Sequence, residues 1–492
     1  ILKYKYDIVM KIFKNYLKIF TALMLVFLTS CSDYLDTEPI TEEATSLNDG
    51  VVIKDAAAAE SRMNAVYGTF GSGYWQLDFF LVGDGQSDNA YMGADNPAIF
   101  QYETYQMLST NSQMKGDWND IYNNINTCNI VINYVDQATD LSATRKNEMI
   151  GEASLIRALN HFQAVQLWGD CPIAKEAIFS ISSANFEAAF NALFPARKPV
   201  AEVYAQIIAD CQVAIQKAPD ASNKFKANKM AANALLAKVY ASMPNPDWAK
   251  VIQHCDVVIG GGYTLLPTFD HLFDSAHEGN AESIWEVNGD GWSSPIGAWN
   301  TFMFIGTDWK KFNAPSHTLV QAYTNNGDTQ RLASTVTREN VGWADTYWSS
   351  TGYPFAYKMR DTNGNQNYYI ARLGDILLLK AAALASTGNV TGAMALVNQV
   401  RDRAGIASIS ASNQSDAINK VLEERLMELA FEGDRWFDLK RMGKAIQVLS
   451  QQKDGNGNVL PFASNINQNR LLWPIPQDKL DANAQLTQNP GY

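Results

Sequence analysis

Between Trp118 and Asp136 the apolar residues Ile121, Ile125, Cys128, Ile132 and Val135 recur at spacings of 4, 3, 4 and 3. That period lays all five along one stripe of an α-helix and does not fit the two-residue alternation of a strand. Asp117 stands where an N-cap is expected. Similar patterns predict helices over Arg145–Trp168, which meets a Gly169-Asp-Cys-Pro172 stop, and over Tyr204–Lys217 and Lys229–Met243. They return over Tyr369–Ser386, Val390–Ala404 and Asp416–Met442. A chain patterned this way must bury its stripes helix against helix.

Two places echo one another. Ala241-Ser242, a turn with Pro244 and Pro246, and Ala249 open one expected helix hairpin. Ala385-Ser386, a turn at Gly388, and Ala393 open another with the same eight-residue Ala-to-Ala offset. Small residues there let antiparallel helices approach closely, as in tetratricopeptide-like repeats. The expected fold class is mainly α, tetratricopeptide-like helix hairpins with a loop-rich, partly β middle insertion. The insertion is residues 262–369, where the helical period fades. It follows an N-terminal helical half at 31–261 and precedes a C-terminal helical segment at 370–492, all within one domain over 31–492.

Composition limits what such a fold can do. Removing the five Lys and one Asp of the first 30 residues leaves 34 basic residues against 50 acidic. Nucleic acid is therefore not an expected partner, since non-specific binding needs a basic surface. Aromatics reach 11%, and six of the 12 Trp lie between 285 and 348.

The first 30 residues read as an address. Lys11, Lys14 and Lys18 precede the apolar run Ile19–Leu28, which is far shorter than the roughly 20 residues of a membrane-spanning helix. Met10 is the expected start of this signal. The run ends Leu28-Thr29-Ser30-Cys31, which resembles a bacterial lipobox. Cys31 is thus the expected lipidation site and mature N-terminus, and more than one acyl chain would anchor it firmly. Asp33 and Asp36 resemble acidic signals for the outer cell surface.

The ordered motifs beyond this point resemble the SusD/RagB family of surface nutrient-binding lipoproteins. They include Leu35-Asp36 with Pro39, Gly151-Glu-Ala-Ser-Leu-Ile-Arg-Ala158 with Phe162, and Trp168-Gly-Asp-Cys-Pro172. Arg372-Leu-Gly-Asp-Ile-Leu-Leu-Leu379, Gly388-Asn389 and Val397–Gly405 follow, then Glu424-Arg425 and Glu428–Gly443. Trp473-Pro-Ile-Pro476 and Gln488-Asn-Pro-Gly-Tyr492 close the set. Ala381-Ala-Ala383 and Leu155-Ile156 depart from the family pattern. The resemblance implies a lid on a SusC-like TonB-dependent transporter of the outer membrane, lipid-anchored and facing outward, that captures glycan without catalysis.

Glu424, Arg425, Glu428, Glu432 and Arg435 sit at one-turn spacings on the expected last helix, which suits ion pairs. A surface glycosidase, with a carboxylate pair acting on a glycosidic bond, would be the enzymatic reading. Arg neighbours would hold both carboxyls ionised, which leaves no proton donor. A member of the same family that binds peptide, or a scaffold with no ligand of its own, would carry the same motifs.

Sugar rings present an apolar face, so a binder grips them with exposed aromatic platforms and polar edges. The binding aromatics belong to no family motif, so only their setting selects them. Trp118, Trp168, Trp248, Trp285, Trp436 and Trp473 lie in helical, strand-like or motif contexts and read as core. Trp75, Tyr91, Trp292, Trp299, Trp343 and Trp348 lie in irregular polar stretches and form the expected aromatic arc.

Further signals are weaker. Asp361-Thr-Asn-Gly-Asn365 and Asp454-Gly-Asn-Gly-Asn458 open like calcium loops but lack the later Gly and Glu, and read as turns. His254, His271 and His277 lack a ligand spacing, so no metal is expected, and nothing points to a cofactor. Cys128, Cys171, Cys211 and Cys255 could pair after export, or stay as buried thiols.

Overall fold

The structure, a computed structural model, describes residues 52–177, 186–291 and 299–492. The signal and Cys31 lie outside these residues, as does Trp292. Residues 53–492 cluster as one unit, and no described helix is long and apolar enough to cross a membrane.

Helix α1 spans Ala56–Gly68, α2 Ser112–Tyr134, α3 Ala143–Trp168, α4 Val200–Lys217, α5 Lys229–Ser242 and α6 Trp248–Ile259. After the middle insertion come α7 at Leu373–Ser386, α8 at Val390–Arg403 and α9 at Gln414–Glu428. From α2 to α8 each helix packs on the next, and α7 also packs on α9. Helix α6 therefore meets α7 across the whole insertion, which leaves and re-enters the helical stack between two adjoining hairpins.

The echoed alanines explain part of this packing. Ala241, Ala385 and Ala393 are completely buried, whereas Ala249 faces solvent. The Ala381-Ala-Ala383 departure is buried too, in a core with Leu377, Leu378, Val397, Val400 and Val421. Each such branched side chain stabilises the fold by about 1.5–3 kcal/mol on burial.

Several boundaries differ from the sequence expectation. Helix α2 starts earlier and is capped by Asn111, whose side chain accepts from Met114 N–H. Asp117 instead sits buried inside the helix and accepts the Tyr102 hydroxyl at 3.0 Å. Residues 368–372 form a strand, antiparallel to Ser283–Val287, and the fully buried run of the latter fits a pair covered on both faces. The expected helix over Asp416–Met442 breaks after Glu428 and resumes as Arg435–Arg441.

That break has a cause in close packing. Gly433 adopts φ +81° and crosses Gly83, where an added Cβ would lie 2.1 Å from the Gly433 carbonyl oxygen. Two π-helical turns, Tyr74–Asp78 and Leu81–Gly85, lead into this crossing. Buried Asp84 accepts Phe431 N–H at 3.0 Å and Gly433 N–H at 2.8 Å.

The terminal motifs dock on the Trp168-Gly169 turn. Trp473 N–H donates to Leu167 O at 2.7 Å, and the Asn489 amide donates to both Trp168 O and Trp473 O. Arg157 of α3 holds Asp210 of α4 through two bonds at 2.9 and 2.6 Å. Cys128, Cys171, Cys211 and Cys255 are free, buried thiols.

The insertion is less irregular than its composition suggests. Short helices form at Trp299–Phe304, His317–Asn325 and Thr329–Thr335, and Val336–Glu339 pairs with Tyr353–Ala356. The Asp361 and Asp454 segments are turns, with each carboxylate accepting backbone N–H groups of its own loop.

Candidate functional site

An aromatic cluster forms where the insertion folds onto the N-terminal segment. Tyr91 lies in a two-residue strand paired with Ala314-Pro315. Its ring stacks on Tyr347 with centroids 3.9 Å apart and planes 7° apart. Trp348 stacks on His317 at 3.6 Å, with the Arg338 guanidinium 5.0 Å from its centroid. Trp343 meets Tyr353 edge to face at 4.7 Å.

Internal hydrogen bonds hold the loop that carries these rings. Asp345 Oδ1 accepts Tyr347 N–H and Trp348 N–H at 2.8 Å each, while Oδ2 accepts the Tyr353 hydroxyl at 2.5 Å. Trp348 Nε1 donates to Pro315 O, and Tyr91 Oη to Lys453 O, both at 2.9 Å. The Tyr347 hydroxyl donates to Glu103 at 3.0 Å. Burial pushes the Glu103 carboxyl up to about 8, against the lowering pull of Met92 N–H and Tyr347.

Trp343 Nε1 donates to Thr307 O at 3.2 Å, which ties this loop to the 299–312 segment. There Phe302 and Trp309 flank the Lys311 ammonium at 4.2 and 4.3 Å. The Lys311 side chain is buried while Phe302 is 48% exposed, so the cation stiffens the rim from beneath. Lys310 with Asp95, and Lys311 with Asp308, add charged edges. A rim of fixed aromatic faces with polar edges suits a ligand with an apolar ring face.

Of the six aromatics selected from sequence, Tyr91, Trp343 and Trp348 come together here. Tyr91 is 3% exposed and Trp348 lies between His317 and Arg338, so both back the rim more than they present a free face. Trp299 opens the Trp299–Phe304 helix. Trp75 is completely buried: it packs on Phe70, Tyr74 and Phe79, and its Nε1 donates to Asn160. Its Gly/Ser-rich neighbours suggested a loop, yet they enter a π-helical turn. Trp118, Trp168, Trp285, Trp436 and Trp473 are buried, and Trp248 partly so. Phe302 and Trp309 escaped sequence reasoning; Trp309 beside two lysines, Lys310-Lys311, was the available signal.

A second concavity of about 430 Å³ lies between Tyr67, Phe70, Phe225 and Asn288. Phe225 is 36% exposed there, and the Lys226 ammonium sits 3.9 Å from the Tyr67 centroid.

Glu424 and Glu428 are completely buried, so no polysaccharide bond reaches them in this fold. Glu424 pairs with Arg331 and Arg401, and Glu428 with Arg331, Arg372 and Arg403. Burial would raise the Glu428 carboxyl, and the three guanidiniums hold it well below the usual range instead. These groups brace the frame from the last two turns of α9, just before the expected helix breaks.

Stacked helix hairpins that carry one aromatic-rimmed insertion define a mainly α fold of the tetratricopeptide-like class. The chain belongs to the SusD/RagB family. Residues 298–492 match the SusD family model, and residues 33–241 match a SusD-like model described as starch-binding and associating with the outer membrane. SusD-like protein P38 of Formosa agariphila is 26% identical over 98% of this chain and all of its own length. A laminarin-binding SusD-like protein superposes with a TM-score of 0.71 at 24% identity, covering 89% of this chain and all of its own. Surface glycan-binding protein A of Bacteroides thetaiotaomicron gives 0.72 at 21% identity, over 89% of this chain and 99% of its own.

Proposed function

We propose that this chain captures an oligosaccharide or polysaccharide at the cell surface, without acting on it, and passes it to a SusC-like TonB-dependent transporter. Acyl chains on Cys31 would hold it to the outer membrane. The observation that carries the reading is the rim on which Phe302, Trp309 and Trp343 share one rigid support, with Thr307 bonded to Trp343. Ring faces fixed in advance lose little entropy when a ligand stacks on them. The family description and the laminarin-binding neighbour agree with a glycan as the cargo.

A binding screen of the purified chain against laminarin, starch, other glycans and peptide mixtures tests this. Saturable glycan binding that falls at least tenfold in Trp343→Ala and Trp309→Ala supports it. Binding of peptides alone, or glycan binding untouched by either change, overturns it. In the latter case Phe225→Ala tests the second concavity.

A further inference from the structure

We propose that His271, Asp274 and His277 form a divalent-cation site of the zinc class. The three side chains come from two consecutive turns. His271 lies in the 3-10 turn Phe269–Leu272, and His277 N–H donates to Asp274 O to close the next turn. Phe269, Leu272 and Phe273 are buried together and fix the first turn to the body.

The donors lie close together. The imidazoles of His271 and His277 stack with centroids 3.8 Å apart and planes 8° apart. His277 Nδ1 lies 2.6 Å from Asp274 Oδ1, which also accepts Ala276 N–H at 3.0 Å. One ligand atom from each of the three residues lies within 4.8 Å of the others. Tetrahedral bonds of about 2.0–2.1 Å place such atoms roughly 3.4 Å apart, so an imidazole must turn out of the stack and the His277–Asp274 bond must open, which partly exposed side chains allow. Among the described residues, no hydrogen bond engages the ring nitrogens of His271.

The donor set selects the ion. Two imidazoles and a carboxylate suit zinc and its neighbours, whereas calcium and magnesium take oxygen ligands. Three protein ligands leave a fourth position for water. Carboxylates surround the turn: Asp270 and Asp274 lie on it, and Glu278 and Glu286 accept the backbone N–H groups of Asn367 and Gly279 just beyond it. Arg360, the adjacent cation, is already held by Asp270 through bonds at 2.8 and 2.9 Å.

A bound ion would pin the turn that leads into the Ser283–Val287 strand. That turn is otherwise tied by Glu278, which accepts Asn367 N–H at 2.9 Å, and by Gly279 N–H, which donates to Glu286. The site is separate from the aromatic rim, and its test does not depend on any glycan.

Calorimetric titration of Zn²⁺ into the chelator-stripped full chain is the test. The expected result is one saturable equivalent and a raised thermal midpoint. Affinity should fall at least tenfold in His271→Ala and in His277→Ala. It should hold in His254→Ala, whose imidazole bonds Asn233 elsewhere. Melts in EDTA check that each variant folds, and Asp274→Asn replaces any that does not. No saturable uptake by the parent, or uptake kept by both His variants, overturns the proposal.

Discussion

Arg372 donates to the Glu428 carboxylate at 2.7 Å and to the Glu428 backbone carbonyl at 2.9 Å. Arg372 ends the strand that closes the insertion, and Glu428 ends α9. One buried contact thus joins the loop-rich middle to the last helical segment. Arg331 and Arg403 share the same carboxylate, and Glu282 and Glu432 complete the charge balance around Arg372.

Glu428→Gln keeps the shape of the side chain and removes its charge, leaving three guanidiniums under-neutralised. The expected cost is about 3–5 kcal/mol of unfolding free energy, as for other broken buried pairs. Urea denaturation measures it. A midpoint within error of the parent would show that the three guanidiniums do not depend on this carboxylate.

Acid should act through the same group. A carboxyl held below its ordinary value of 4.5 contributes stability that is present above that pH and lost as pH falls toward the native value. Thermal midpoints should therefore drop below about pH 4.5 in the parent, and Glu428→Gln should show a shallower acid slope.

Glu103 works in the opposite sense. Its carboxyl is pushed up to about 8, so its contribution is fully present below 4.5 and is lost as pH rises toward 8. Glu103→Gln keeps an acceptor for Met92 N–H and Tyr347 Oη. The loss of thermal midpoint between about pH 5.5 and about pH 8.5, which bracket most of that range, should be smaller in the variant. An unchanged difference would place the alkaline sensitivity elsewhere.

The two classes of tryptophan should separate experimentally. Trp75→Ala empties a fully buried site and is expected to cost about 3–5 kcal/mol of stability. Trp343→Ala, at the partly exposed rim, should lower glycan affinity with a much smaller shift in melting. Paired melts and titrations decide this; equal destabilisation by both would remove the distinction.

Gly83→Ala places a methyl group against the Gly433 backbone. Neither backbone can yield cheaply, so a loss of at least about 1–3 kcal/mol is expected. Chemical denaturation reads it, and a parent-like midpoint would mean that the crossing has room for a methyl group.

The helical frame was legible because its signals are local. The 4, 3, 4, 3 stripe put Ile121, Ile125 and Cys128 in the core, and all three are completely buried. Helix α3 starts within two residues of its expected first residue and ends at Trp168 as expected. What failed was set by distant partners. Residues 368–372 became a strand because Ser283–Val287 lies beside them. The last helix broke because Gly433 must cross Gly83. The site was legible only as a region: Trp343 and Trp348 came from it, but whether an indole lies on a rim or in a core depends on contacts that composition does not carry. Trp75, expected on a loop, is core, and Phe302, which its setting did not single out, is exposed.

The Asp84 strap sets an order of events. Its carboxylate is fully buried, burial pushes it up to about 7, and two of its donors, Phe431 N–H and Gly433 N–H, lie 347 and 349 residues downstream. Until residues 431–433 arrive, Gly83 lacks the Gly433 backbone it packs against and Asp84 lacks those two donors. Such long-range closure slows folding and keeps incomplete chains open. The packing of the Gly83 turn is therefore completed only by residues 347 and 349 positions after Asp84, long after the helices around it can meet.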